Sequence, residues 1–143
     1  MARTRKTFTL EEEASSVLGR VGNESDYLGR LVLQHAADWT ESLAVLRRAH
    51  WQTDEILAAC DALGGYGLSN AGRSGTWLAQ ELARREEDSE SFRKRSVPAA
   101  RRRACFTELA EDPEIAHALA TIVREYWLQN EDCRRAVRAG KVR

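Results

Sequence analysis

Helical spacing of apolar residues runs through almost the whole chain, and only one segment, at the N-terminus, reads as a β-strand. That imbalance limits the folds open to the sequence. Arg3-Thr4-Arg5-Lys6-Thr7-Phe8-Thr9-Leu10 is rich in Thr, with Phe8 and Leu10 alternating against Thr7 and Thr9. A lone strand cannot satisfy its own N–H and C=O groups, and no second strand-like segment follows it. The simplest solution predicted from the sequence is pairing with the same strand of a second copy, as a two-fold antiparallel ribbon.

The rest reads as helix. Ala14, Val17, Leu18 and Val21 place a short helix over 11–21, with Glu11, Glu12 and Glu13 at its positive end and Gly22 as a left-handed stop. Ser25 is the expected N-cap of a second helix reaching Ala37, with Tyr27, Leu28, Leu31, Val32 and His35 along one side. A third helix is expected from Asp38 or Thr40 to Leu63, ended by Gly64-Gly65. Residues 64–75 hold five glycines and read as a loop. Further helices are expected over 76–94, beyond Pro98, behind the start signal Asp112-Pro113-Glu114, and from Glu131 to Val137.

Alternation puts Phe8 and Leu10 on the buried face of such a ribbon. Arg3, Arg5, Thr7 and Thr9 then stand on the other face, twice over. A two-stranded ribbon fits the DNA major groove, where Arg reads guanine and Thr bonds a base or touches a thymine methyl.

Strand, short helix, Gly turn and capped second helix together resemble the ribbon-helix-helix DNA-binding family over residues 3–38. The matching pieces are Arg5-Lys6-Thr7-Phe8-Thr9-Leu10 and Gly22-Asn23-Glu24-Ser25-Asp26-Tyr27-Leu28-Gly29-Arg30-Leu31-Val32. The resemblance implies a mostly α fold: a ribbon-helix-helix domain over 1–38, homodimeric through its one strand, and an all-helical region over 39–143. It implies base reading by Arg5, Thr7 and Thr9, flanked by Arg3 and Lys6. It also implies a phosphate contact at Asn23, Glu24, Ser25 and Asp26, where a helix N-terminus favours an anion. The partners implied are double-stranded DNA and a second copy, with residues 39–143 serving higher oligomerisation or a protein partner. The expected settings are an autoregulating repressor or a plasmid-transfer accessory protein. The alternatives are an antitoxin, or a helical protein-interaction module that binds no DNA.

Composition narrows the field further. The chain has 22 Lys+Arg against 22 Asp+Glu, which excludes a general basic coat. No apolar run reaches membrane-span length, and the start carries no apolar signal core, so a cytoplasmic protein is expected. Cys60, Cys105 and Cys133 are odd in number and far apart, as expected of reduced thiols. His35, His50 and His117 lack partners at zinc-ligand spacing, so no metal or cofactor is expected. No catalytic constellation stands out, and no enzyme activity is expected. Gly67-Leu68-Ser69-Asn70-Ala71-Gly72-Arg73-Ser74 approaches a phosphate-loop pattern but lacks the preceding strand, so an interhelical loop is expected. Arg93, Lys94, Arg95, Arg101, Arg102 and Arg103 form an acid-free block. It reads as a solvated face ahead of a DNA contact or a pairing with Glu86-Glu87-Asp88. Trp39, Trp51, Trp77 and Trp127 read as core anchors.

Overall fold

The computed structural model describes residues 9–63, 75–84 and 90–140, the stretch 75–78 by backbone alone. Its elements are α1 (Glu12–Leu18), α2 (Glu24–Arg48), α3 (Thr53–Leu63), α4 (Gly75–Arg84), α5 (Glu90–Lys94), α6 (Ala99–Glu111), α7 (Pro113–Trp127) and α8 (Glu131–Ala139).

Every regular element among the described residues is a helix, which overturns the expected ribbon-helix-helix fold. Thr9, Leu10 and Glu11 are irregular chain leading into α1, and residues 3–8 of the expected strand lie outside the described residues. A strand exists through its ladder, and no strand among the described residues offers one. The described residues are all-helical in their regular structure.

The helix boundaries shift as well. α1 stops at Leu18, with Gly19 in right-handed geometry as its C-cap. Gly22 is not in the left-handed region expected of a stop. α2 starts one residue before Ser25 and runs without a break to Arg48, through the expected boundary near residue 38. Neither Gly nor Pro interrupts residues 30–48, and the Thr40 hydroxyl bonds back to the Ala36 carbonyl at 2.7 Å instead of capping a new helix.

The chain divides into two compact units, Met1–His35 and Ala36–Arg143. In the second, α7 packs against α3, α4, α6 and α8. Leu119, Ile122 and Val123 of α7 join Ile56, Cys60, Leu82, Phe92 and Val137 in a fully buried core. Phe92 and Phe106 meet edge to face, 5.5 Å between centroids. The start of α7 follows its sequence signal: Pro113 is the first helical residue, and Asp112 accepts the Glu114 N–H at 3.0 Å.

Arg47 ties three elements together. Its guanidinium donates to the Val137 carbonyl at 2.8 Å, to Thr53 Oγ1 at 3.1 Å and to the Trp51 carbonyl at 3.3 Å. The Val137 carbonyl lies in the last turn of α8, where it has no partner within the helix. Gly140 lies against this guanidinium, and a Cβ there would overlap it. Trp127 does similar work at the end of α3, its indole N–H donating to the Cys60 carbonyl at 2.8 Å.

Three helices end in the same left-handed closure. His50, Ser96 and Gln129 have φ of 66°, 58° and 62° after α2, α5 and α7. The next N–H reaches back to Leu46, Phe92 and Glu125 carbonyls at 3.0, 3.0 and 3.1 Å. That is a Schellman closure, usually built with glycine because L side chains are disfavoured there. Gln129→Gly should therefore stabilise the fold by about 0.5–1 kcal/mol. A rise in melting temperature of roughly 2–4 °C is expected, and a fall would contradict the reading of the turn.

Candidate functional site

The Met1–His35 unit has an apolar surface with little cover. α1 has no buried residue, and those of α2, Ser42 and Leu46, lie beyond this unit. Among the described residues, the large apolar side chains left exposed are Leu10, Val17, Tyr27, Leu31, Val32 and Leu33, with Leu128 of the other unit apart. Val32 and Leu33 are 67% and 72% exposed. Tyr27 and Leu31 share one side of α2 by helical spacing, while Leu33 stands nearly opposite them, on the side of Gly29, with Leu28 and Val32 between.

Gly29 sits among them in the interior of α2. A Cβ there would meet nothing within 4 Å. Glycine in a helix interior costs about 1 kcal/mol relative to alanine, and no contact within the described chain repays that cost.

The expected DNA-contact residues fall in two places. Arg3, Arg5, Lys6 and Thr7 lie outside the described residues, and Thr9 is exposed on irregular chain. Asn23, Glu24, Ser25 and Asp26 come together, exposed, at the start of α2. The Asn23 side chain, not Ser25, caps this end. Its Oδ1 accepts the Asp26 N–H at 3.2 Å while its Nδ2 donates to the Asp26 carboxylate at 3.1 Å. The helix end thus already has two acids, Glu24 and Asp26, in its first turn.

In the Ala36–Arg143 unit, the basic block finds partners that sequence reading did not name. Arg101 forks onto Glu55 through Nε and Nη2 at 2.9 and 3.0 Å, and Glu55 Oε1 also accepts the Gln52 N–H at 2.8 Å. Hydrogen bonding to Glu55 holds the Arg101 guanidinium more firmly protonated than usual. Arg95 donates twice to Asp61 Oδ2, at 3.0 and 2.9 Å, and Lys94 pairs with Glu90 at 3.5 Å. Arg93, Arg102 and Arg103 carry no ion pair among the described residues. The Arg101–Glu55 and Arg95–Asp61 partners are 46 and 34 residues apart in sequence, so no local spacing signals them. Glu86-Glu87-Asp88, the expected alternative partners, lie outside the described residues.

Arg101 with its partner Glu55, and Arg95, line an open cleft of about 390 Å³ together with His50, Gln52, Asp54, Ser96, Val97 and Pro98.

The three thiols are all buried. Burial, with Glu55 nearby, pushes Cys105 up to about 12. Burial, with Glu125 nearby, does the same to Cys133, and Cys60 is raised further. A raised pKa keeps the protonated, unreactive form through neutral and mildly alkaline pH. Alkylation by iodoacetamide at pH 8 should run at least about 100-fold slower on the native chain than in denaturant. It should accelerate only as pH climbs toward the raised values. Fast native labelling would contradict the burial of these thiols.

Trp51 and Trp127 serve the body of the protein, Trp51 donating its indole N–H to Glu108 at 2.6 Å. The side chain of Trp77 and the loop Gly67–Ser74 lie outside the described residues. Among the described residues, no group of His, Cys, Asp and Glu is placed to hold a metal ion, and no helix is long and apolar enough to cross a membrane. Compared with protein-family models, curated proteins and solved structures, the chain matches none.

Proposed function

We propose that this chain is a homodimeric helical interaction protein that pairs through the apolar surface of its Met1–His35 unit. The observation that carries this reading is the concentration of exposed apolar side chains between Leu10 and Leu33, on a unit with no buried residue in α1. So many large apolar side chains left in water on one small unit mark an interaction site. Gly29 supports a close helix–helix approach, because its missing side chain otherwise serves no contact. A second copy is the occupant favoured here, because it brings the same exposed apolar side chains and the same gap at Gly29, and a two-fold contact is self-complementary.

Sequence-specific binding of double-stranded DNA is the second reading. It is favoured by the basic residues Arg3, Arg5 and Lys6 beside Thr7 and Thr9, side chains of the types that contact phosphates and base edges. Under it the chain is a repressor or a transfer accessory protein. The two readings separate in one experiment, selection from a random DNA pool with the complex mass recorded. Enrichment of one sequence by a dimer, lost on Arg5→Ala/Thr7→Ala, supports DNA recognition. A dimer that enriches nothing supports the interaction protein alone. A monomer that enriches nothing contradicts both.

A further inference from the structure

We propose that the cleft between the start of α3 and the start of α6 binds a small phosphate monoester. This proposal stands on the Ala36–Arg143 unit and is independent of pairing. Arg101 and Arg95 both line the cleft, and each is held by its Nε and Nη2 edge to a carboxylate. That grip fixes the plane of each guanidinium and leaves both Nη1 groups without a protein acceptor among the described residues. His50 and Ser96 add an exposed imidazole and hydroxyl.

The acids at the cleft are Asp54 and Glu55. Both Glu55 oxygens already accept hydrogen bonds, and the first turn of α6 carries no acid. Two arginines against two acids leave the lining formally neutral, so the Nη1 donors left over on Arg95 and Arg101, rather than net charge, are what an anion would take. Donors on separate elements suit the several oxygens of a phosphate better than one planar carboxylate, which a single Arg fork satisfies. Val97 and Pro98 give the rest of the ligand an apolar wall. The cleft volume of about 390 Å³ falls within the range of small-molecule sites.

The test is calorimetric titration of the full chain with phenyl phosphate and, separately, with benzoate. Saturable one-to-one binding of phenyl phosphate is expected, about tenfold tighter than benzoate. Arg95→Gln should weaken it by about tenfold; its partner Asp61 is partly exposed, so the fold survives the change. His50→Gly should weaken it roughly threefold to fivefold while raising the melting temperature, because the left-handed position suits glycine. A purely structural role for His50 would not produce both effects. Absence of saturable binding, equal affinity for benzoate, or full affinity in both variants would overturn the proposal.

Discussion

Arg101→Met should lower the unfolding free energy by about 2–4 kcal/mol. The substitution strands Glu55, whose side chain is 3% exposed, without the guanidinium that occupies both its oxygens. Removing one partner of a buried pair costs about 3–5 kcal/mol, because the remaining charge is left uncompensated. The Arg101 side chain is 38% exposed, so water reaches the pair and the lower range applies. The double substitution Glu55→Met/Arg101→Met should recover much of the loss, since it removes the buried charge together with its partner. Urea unfolding of the wild type, both single variants and the double variant forms a cycle that isolates the pair. Equal stability of Arg101→Met and wild type would mean that Glu55 is not buried as described.

Trp51→Ala should be at least as damaging, at about 3–5 kcal/mol. Trp51 is 1% exposed and donates to Glu108 at 2.6 Å, so alanine leaves both a cavity and an acceptor without its donor. Leu33→Asp provides the contrast within one chain. Leu33 is 72% exposed, and its loss should move the unfolding of the Ala36–Arg143 unit by no more than about 0.5 kcal/mol. Thermal unfolding of both variants checks the division between a self-sufficient core and an apolar surface that awaits a partner. Comparable losses from the two would contradict it.

How far the sequence discloses this molecule depends on the range of each interaction. Asp112-Pro113-Glu114 marks the start of α7 because a cap, a fixed φ and an acid all act within one turn. The apolar spacing of Ile115, Leu119, Ile122 and Val123 likewise states which side of α7 is buried. The continuity of α2 is harder to read. Asp38 and Thr40 suit a helix start, yet the helical backbone runs through them from Glu24 to Arg48, and the Thr40 hydroxyl bonds back to the Ala36 carbonyl. The expected strand rests on local Thr and alternation, which are weak preferences beside the need for a pairing ladder. Left-handed closures at His50, Ser96 and Gln129 carry no glycine signal at all. At the candidate sites, Tyr27, Leu31 and Val32 are legible as part of a stripe, but Leu33 falls outside it and the lack of cover is not legible. The pairs Arg101–Glu55 and Arg95–Asp61 depend on tertiary packing, so the basic block could be seen in sequence and its neutralisation could not.

Pairing through the Leu10–Leu33 surface is most directly tested by sedimentation equilibrium of the full chain beside Leu33→Asp and Gly29→Leu. The account predicts a reversible dimer for the wild type. Both variants should sediment as folded monomers, because one places a charge and the other a bulky side chain in the proposed contact. A wild-type chain that remains monomeric across the concentration range, or variants that dimerise as tightly as the wild type, would contradict it.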